Sequence, residues 1–115
     1  MTITRGSKAL KFKAFKAGWI LAGMKTATLR LFDDKDLQVA DKLDLINSDT
    51  GVCFAQAVVT EIVQKNLGAV KDSDLTGHEK WNDSVEMLQS LRVYYGDKVN
   101  PKTPAKIVRF KLLNV

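Results

Sequence analysis

Apolar and polar positions alternate strictly over residues 26–32, "TATLRLF". Successive side chains of a strand point to opposite faces, so Ala27, Leu29 and Leu31 turn one way and Thr26, Thr28 and Arg30 the other. The first set belongs to a core. The second lines either a solvated sheet face or the floor of a pocket. Just upstream, Phe12, Phe15, Trp19 and Ala22 recur at helical spacings and predict a short amphipathic helix over 13–22, with Phe15 and Trp19 on its buried side. Gly18 weakens this helix, and Gly23 is placed to end it in a left-handed conformation. Residues 8–12, "KALKF", read as a strand before it.

Further along, "DKLDLIN" (41–47) and "VCFAQAVVTEIVQKN" (52–66) are strand-like, the second rich in branched Val58, Val59, Ile62 and Val63. "SDTG" between them has the composition of a hairpin turn. Residues 67–82 are less regular, with room for a short helical turn. A second helix is predicted over 84–95: Asp83 caps it, Glu86 answers three residues on, Val85, Leu88, Leu91 and Tyr95 form its apolar face, and Gly96 ends it. Pro101 and Pro104 make 96–104 a loop, and 105–115 closes the chain as a strand. The order is β-α-β-β-β-α-β. It implies the α+β class, with a small, strongly bent, mixed but mostly antiparallel sheet and two main helices, able to close into a barrel.

A length of 115 residues, with no repeat or linker, suits a single domain, 1–115, around one core. No run is long and apolar enough for a membrane span, and "MTITRGSKALKFK" lacks the apolar segment of a secretory signal. The lone Cys53 excludes an internal disulfide, which agrees with a reducing cytosol and a cytoplasmic protein. Cys53 itself reads as a small core residue. With a single His and no Cys/His cluster, no metal site is expected. Charge changes the picture more. The net charge is +5, yet residues 1–30 alone carry seven basic residues and no acid. A basic segment on a near-neutral body suggests a polyanion partner, RNA before DNA or a nucleotide; the alternative is a soluble surface that happens to use lysine.

Gly23, Lys25, Thr28 and Arg30 together spell Gly-x-Lys-x-x-Thr-x-Arg. This resembles the signature of the ASCH domain, a PUA-like β-barrel associated with RNA, which runs Gly-x-Lys-x-x-(Glu or Thr)-x-Arg after the first helix. The surroundings agree: "WILA" before the Gly, "DKLDL" where the family has Gly-Asp-x-Leu, "SVEMLQSLRVYYG" as the late helix, and "IVRFKL" as the closing strand. The resemblance spans residues 10–113. Ala40 stands where many members have Gly, and Thr28 where Glu is commoner. A Thr there resembles the small bacterial ASCH proteins that act as N4-acetylcytidine amidohydrolases.

That resemblance implies Thr28 as nucleophile, Lys25 as base and a later Glu as proton shuttle. Glu79 in "GHEKWN" is the best match, reached with a one-residue insertion before the helix. It implies a substrate pocket involving Gly23, Arg30 and Trp81, a modified nucleoside or RNA as ligand, no membrane, and no metal or organic cofactor.

The chemistry is coherent. A Thr hydroxyl needs a base within hydrogen-bond reach, and the leaving amine needs a proton. Arg30, two residues from Thr28, can hold an oxyanion or bind a phosphate or carboxylate. Lys25 is three residues from Thr28 and would face away in an ideal strand; it reaches only if residues 23–26 turn into the strand. Plainer readings stand beside these. Thr28 is then an ordinary strand residue, Lys25 a solvated lysine at a helix end, Arg30 an ion-pair partner of Glu79 or Asp44, and Glu79 and His78 plain surface. Trp19 is assigned to the core with Phe15, and Trp81 is the better candidate, beside Tyr94 or Tyr95, to stack a base.

The expected function is hydrolysis of the N4-acyl amide of a modified cytidine. A non-catalytic RNA-binding module is the alternative, as is an ASCH-type ribonuclease with Lys25 and Arg30 stabilising a phosphorane-like charge.

Overall fold

The computed structural model describes residues 8–33, 35–78 and 80–113. The elements run β1 (Lys8–Phe12), α1 (Ala14–Leu21), β2 (Ala27–Leu31), β3 (Lys42–Asn47), β4 (Cys53–Asn66), α2 (Ser84–Tyr95) and β5 (Pro104–Leu112), with 3-10 turns at Leu67–Ala69 and Asp72–Leu75 between β4 and α2. This is the predicted order. The α2 helix occupies the predicted span, and Asp83 caps it by accepting the Glu86 amide at 2.8 Å. Glu86 answers differently from the expected box: its carboxylate accepts from the Asn82 side chain at 2.9 Å.

The strands form one sheet in the order β1-β3-β4-β5-β2. β1 runs parallel to β3, and every other pair is antiparallel. The sheet curls into a half-barrel whose free edges are β1 and β2. With its two helices it is the expected α+β fold of a bent, mostly antiparallel sheet, open between β1 and β2. The chain crosses between the two edges through α1, which leaves a gap beside the helix.

Among the described residues the buried apolar side chains gather in two clusters. One gathers Leu10, Phe12, Ile20, Leu43, Leu45, Val59, Val108 and Phe110; the other gathers Leu29, Leu31, Leu67, Met87, Leu91, Val99 and Ile107. β5 contributes to both, sending Val108 and Phe110 one way and Ala105 and Ile107 the other, as alternation requires. β4 would lose step along its length without the register shift between Val59 and Glu61. Before the shift, Val59 pairs with Phe110 in the first cluster; after it, Ile62 pairs with Val108 and Val63 with Ile107, each within its own cluster. The extra residue, Thr60, swaps the faces and keeps both sides apolar.

Three details depart from the sequence reading. α1 buries Ala17 and Ile20, while Phe15 and Trp19 are exposed and pack edge-to-face against each other at 5.2 Å. The small Ala17 lets the helix lie close to the sheet, and the aromatic rings are left outside. On α2, Val85 is exposed, and Met87 takes the buried place beside Leu91. Cys53 is exposed, because residues 48–53 at the β3–β4 hairpin all lie outside the core. Val99, in the loop before β5, is fully buried, and its carbonyl accepts from Arg92 Nε at 2.9 Å. Among the described residues no helix is long and apolar enough to cross a membrane.

Candidate functional site

The link between α1 and β2 settles where Lys25 points. Gly23 adopts a φ of +78°, and its amide donates to Ile20 O at 3.0 Å. The amides of Met24 and Lys25 then both donate to Trp19 O, at 2.9 and 3.2 Å. Residues 23–26 therefore turn rather than extend, and β2 begins only at Ala27. Lys25 precedes the strand, so strand alternation does not bind it. Its side chain lines the same cavity as Thr28 and Arg30.

A second contact fixes the start of β2. The amides of Thr26 and Ala27 both donate to Gly77 O, at 2.8 and 3.1 Å, and Thr26 O accepts from the Phe110 amide at 3.0 Å. Gly77 has a φ of +81°, and a side chain there would collide with Thr26 Oγ1. This docking brings the segment carrying His78 and Trp81 over the strand. Their rings lie 5.4 Å apart and both line the cavity.

The cavity, about 550 Å³, occupies the gap between the sheet edges. That is a size suited to a small molecule. Lys25 and Thr28 form its deepest polar part, at 3% and 5% exposure. Thr28's hydroxyl makes no hydrogen bond among the described residues. Among the described residues no fully buried side-chain polar atom is left unsatisfied, so that hydroxyl opens into the cavity. Arg30, half-buried, has no hydrogen bond or ion pair among the described residues. Its suggested partner Asp44 instead accepts from Gln56 Nε2 at 2.9 Å. At the mouth, Lys16 Nζ lies 5.0 Å from the centre of the Tyr94 ring, joining α1 to α2 by a cation–π contact.

Measured against the sequence reading, Lys25, Thr28, Arg30 and Trp81 come together around one cavity. Lys25 is buried rather than solvated. Gly23 does not line the cavity; its part is the turn. Glu79 lies outside the described residues. Trp19, assigned to the core, lines the cavity mouth with Phe15 and Lys16. The i, i+3 pair Ala17 and Ile20 was the available sign that α1 turns its other face inward. Lys16 over Tyr94 carries no sequence signal, since it joins distant helices.

A second cavity of about 390 Å³ shares Arg30, Tyr94 and Tyr95 with the first and adds Phe32, Lys35 and Lys98. Asp33 also borders it, and its carboxyl is held below the usual carboxylate range. Burial alone would raise it, but the hydrogen bond from Lys106, the amides of Leu37 and Lys35, and the Lys106 charge together outweigh that.

No family model and no curated relative matches the sequence. The fold is similar to those of several solved structures. An ASCH domain from Lactobacillus crispatus superposes with a TM-score of 0.68 at 18% identity, over 91% of this chain and 78% of that one. The ASCH protein of Zymomonas mobilis gives 0.65 at 13% identity, over 93% and 72%. A protein from Enterococcus faecalis V583 gives 0.75 at 12% identity, over 96% and 82%. With its curled mixed sheet, two helices and open seam, this chain has the fold of the ASCH domain.

Proposed function

We propose that the chain is a member of the ASCH family that hydrolyses the N4-acyl amide of a modified cytidine. The observation that carries this reading is the shared, buried position of Lys25 and Thr28 in one cavity into which the Thr28 hydroxyl opens. In this reading Thr28 Oγ1 attacks the acyl carbon and Lys25, as the neutral amine, takes the hydroxyl proton. The N4–carbon bond breaks, and the proton returns to the departing amine with Glu79 assisting. Water then releases the acid from the Thr28 ester. Arg30 faces the oxyanion or another anionic group of the ligand, and Trp81 stacks the base.

The test is cytidine release from N4-acetylcytidine. Removing a nucleophile or its base should lower turnover by about a hundredfold or more in Thr28→Ala and in Lys25→Ala, with Thr28→Ser retaining part of it. A wild-type protein without turnover overturns the reading.

The basic rim supports a second reading. Lys11, Lys13 and Lys16 all border the cavity, which suits an RNA-binding module holding one extruded base. RNA affinity that falls steeply with salt, without turnover, would favour it.

A further inference from the structure

The proposed hydrolysis uses no side chain of the second cavity except Arg30, which borders both cavities. Among the described residues the charges of this second cavity are unbalanced. Asp33 is already committed: Oδ1 accepts the Lys35 amide at 2.9 Å, and Oδ2 accepts the Leu37 amide at 2.9 Å and Lys106 Nζ at 2.7 Å. Arg30, Lys35 and Lys98 form no ion pair among the described residues. Tyr95 Oη accepts the Leu31 amide at 3.4 Å, so its own proton remains available for an acceptor.

Phe32 completes the wall. It has a φ of +52°, a left-handed conformation that is costly for a bulky residue. Its ring meets Tyr95 edge-to-face at 6.0 Å, and Lys98 Nζ lies 4.3 Å from its centre. The strained residue thus holds Lys98 at the cavity. Three cations and a phenol proton around one opening are the donor set of a phosphate site.

We propose that this second cavity is a phosphate subsite continuous with the first, so that the ligand is a cytidine carrying a phosphate and not the bare nucleoside. Arg30 stands between the two cavities and joins base to phosphate. The phosphate is either the monoester of a free nucleotide or a diester of a ribonucleotide chain. The inference rests on the reading that the first cavity holds a cytidine.

Titration calorimetry compares cytidine, its 5′- and 3′-monophosphates and a cytidine dinucleotide. At least one phosphorylated ligand should bind about tenfold tighter than cytidine, as charge-assisted contacts require. The Lys35→Ala/Lys98→Ala double variant should lower that ratio severalfold, with Arg30 and Tyr95 left to hold the phosphate. Both residues are exposed, and its unfolding curve verifies that the fold is intact. A monoester preferred over the dinucleotide identifies a free nucleotide, and the reverse identifies a chain phosphate.

A wild-type ratio near one, a ratio unchanged in the double variant, or no binding by any of the four ligands overturns the subsite. If N4-acetylcytidine is not hydrolysed but the ratio and its fall are observed, the hydrolysis reading falls and the subsite stands. If hydrolysis proceeds with no phosphate preference, the subsite falls alone.

Discussion

The start of β2 is tied down by backbone: two amides share Gly77 O, and Thr26 O takes the Phe110 amide. Its far end is tied down by charge, through Asp33 on Lys106 at 2.7 Å and Lys98 over Phe32 at 4.3 Å. Lys25 and Thr28 lie at the first end; Arg30 and the second cavity lie at the other. Backbone hydrogen bonds between neutral groups are indifferent to salt and to pH in the physiological range, whereas ion pairs respond to both. The end proposed to carry chemistry is therefore fixed by neutral hydrogen bonds. The end proposed to meet an anion keeps its geometry by electrostatics.

Gly77→Ala is the sharpest way to break the first end. A Cβ there meets Thr26 Oγ1, and rotating the Thr26 side chain still leaves alanine at a φ of +81°. The left-handed backbone and the crowding together should cost about 3 kcal/mol, read as a lower midpoint in urea unfolding. The same variant should loosen the His78–Trp81 segment over the cavity. If Gly77→Ala unfolds like wild type, the docking of Gly77 O on β2 is not what holds this end.

Much of this end could be read in the chain, and the reasons differ by residue. The alternation of 26–32 and the Asp83 cap are local signals, and both reappear as drawn. Gly23 marked the turn that frees Lys25 from strand alternation. The spacing of Phe15 and Trp19 shows that α1 has sides, not which side the sheet covers. The register shift at Thr60 was invisible, since its purpose appears only when Ile62 and Val63 meet their partners on β5. The second cavity joins Phe32 to Lys98 across 66 positions. No local pattern announces such a contact. The two clusters follow from an open half-barrel with apolar cover on both sides, which chain length does not specify.

The charged end answers to pH. Asp33's carboxyl is lowered in the folded chain below its ordinary value of 3.8. Its contribution is thus complete above the unfolded value and is lost as pH falls through the lower folded one. Lys106→Met removes the pair and leaves Asp33 with its two amide donors; at neutral pH this should cost about 2 kcal/mol, between the values for surface and fully buried pairs. In Asp33→Asn the loss of stability below pH 4 should be shallower than in wild type. Some acid sensitivity persists, because Asp74 is also lowered, chiefly by its hydrogen bond from Lys65. Equal slopes in wild type and Asp33→Asn would show that Lys106 does not hold this end by charge.

The smallest effect separates backbone shape from packing. Gly77 and Ala40 share a left-handed conformation, with φ of +81° and +76°. Gly77 has no room for a side chain, whereas Ala40 already carries one. Asp41 N donates to Gln38 O at 3.1 Å, which places Ala40 third in the turn 38–41. A positive φ at that position is the one type II turns reserve for glycine. Ala40 is exposed, so its methyl has little packing to lose. Ala40→Gly removes a steric cost of about 1–2 kcal/mol, while the greater freedom of glycine in the unfolded chain returns about 0.4–1 kcal/mol of it. The net should be a stabilisation of about 0.5–1 kcal/mol, seen as a higher urea midpoint with an unchanged slope. The sign is opposite to that of Gly77→Ala, since the two exchanges are mirror images at the same backbone conformation. A destabilised Ala40→Gly would mean that the methyl is held by contacts worth more than the strain it carries.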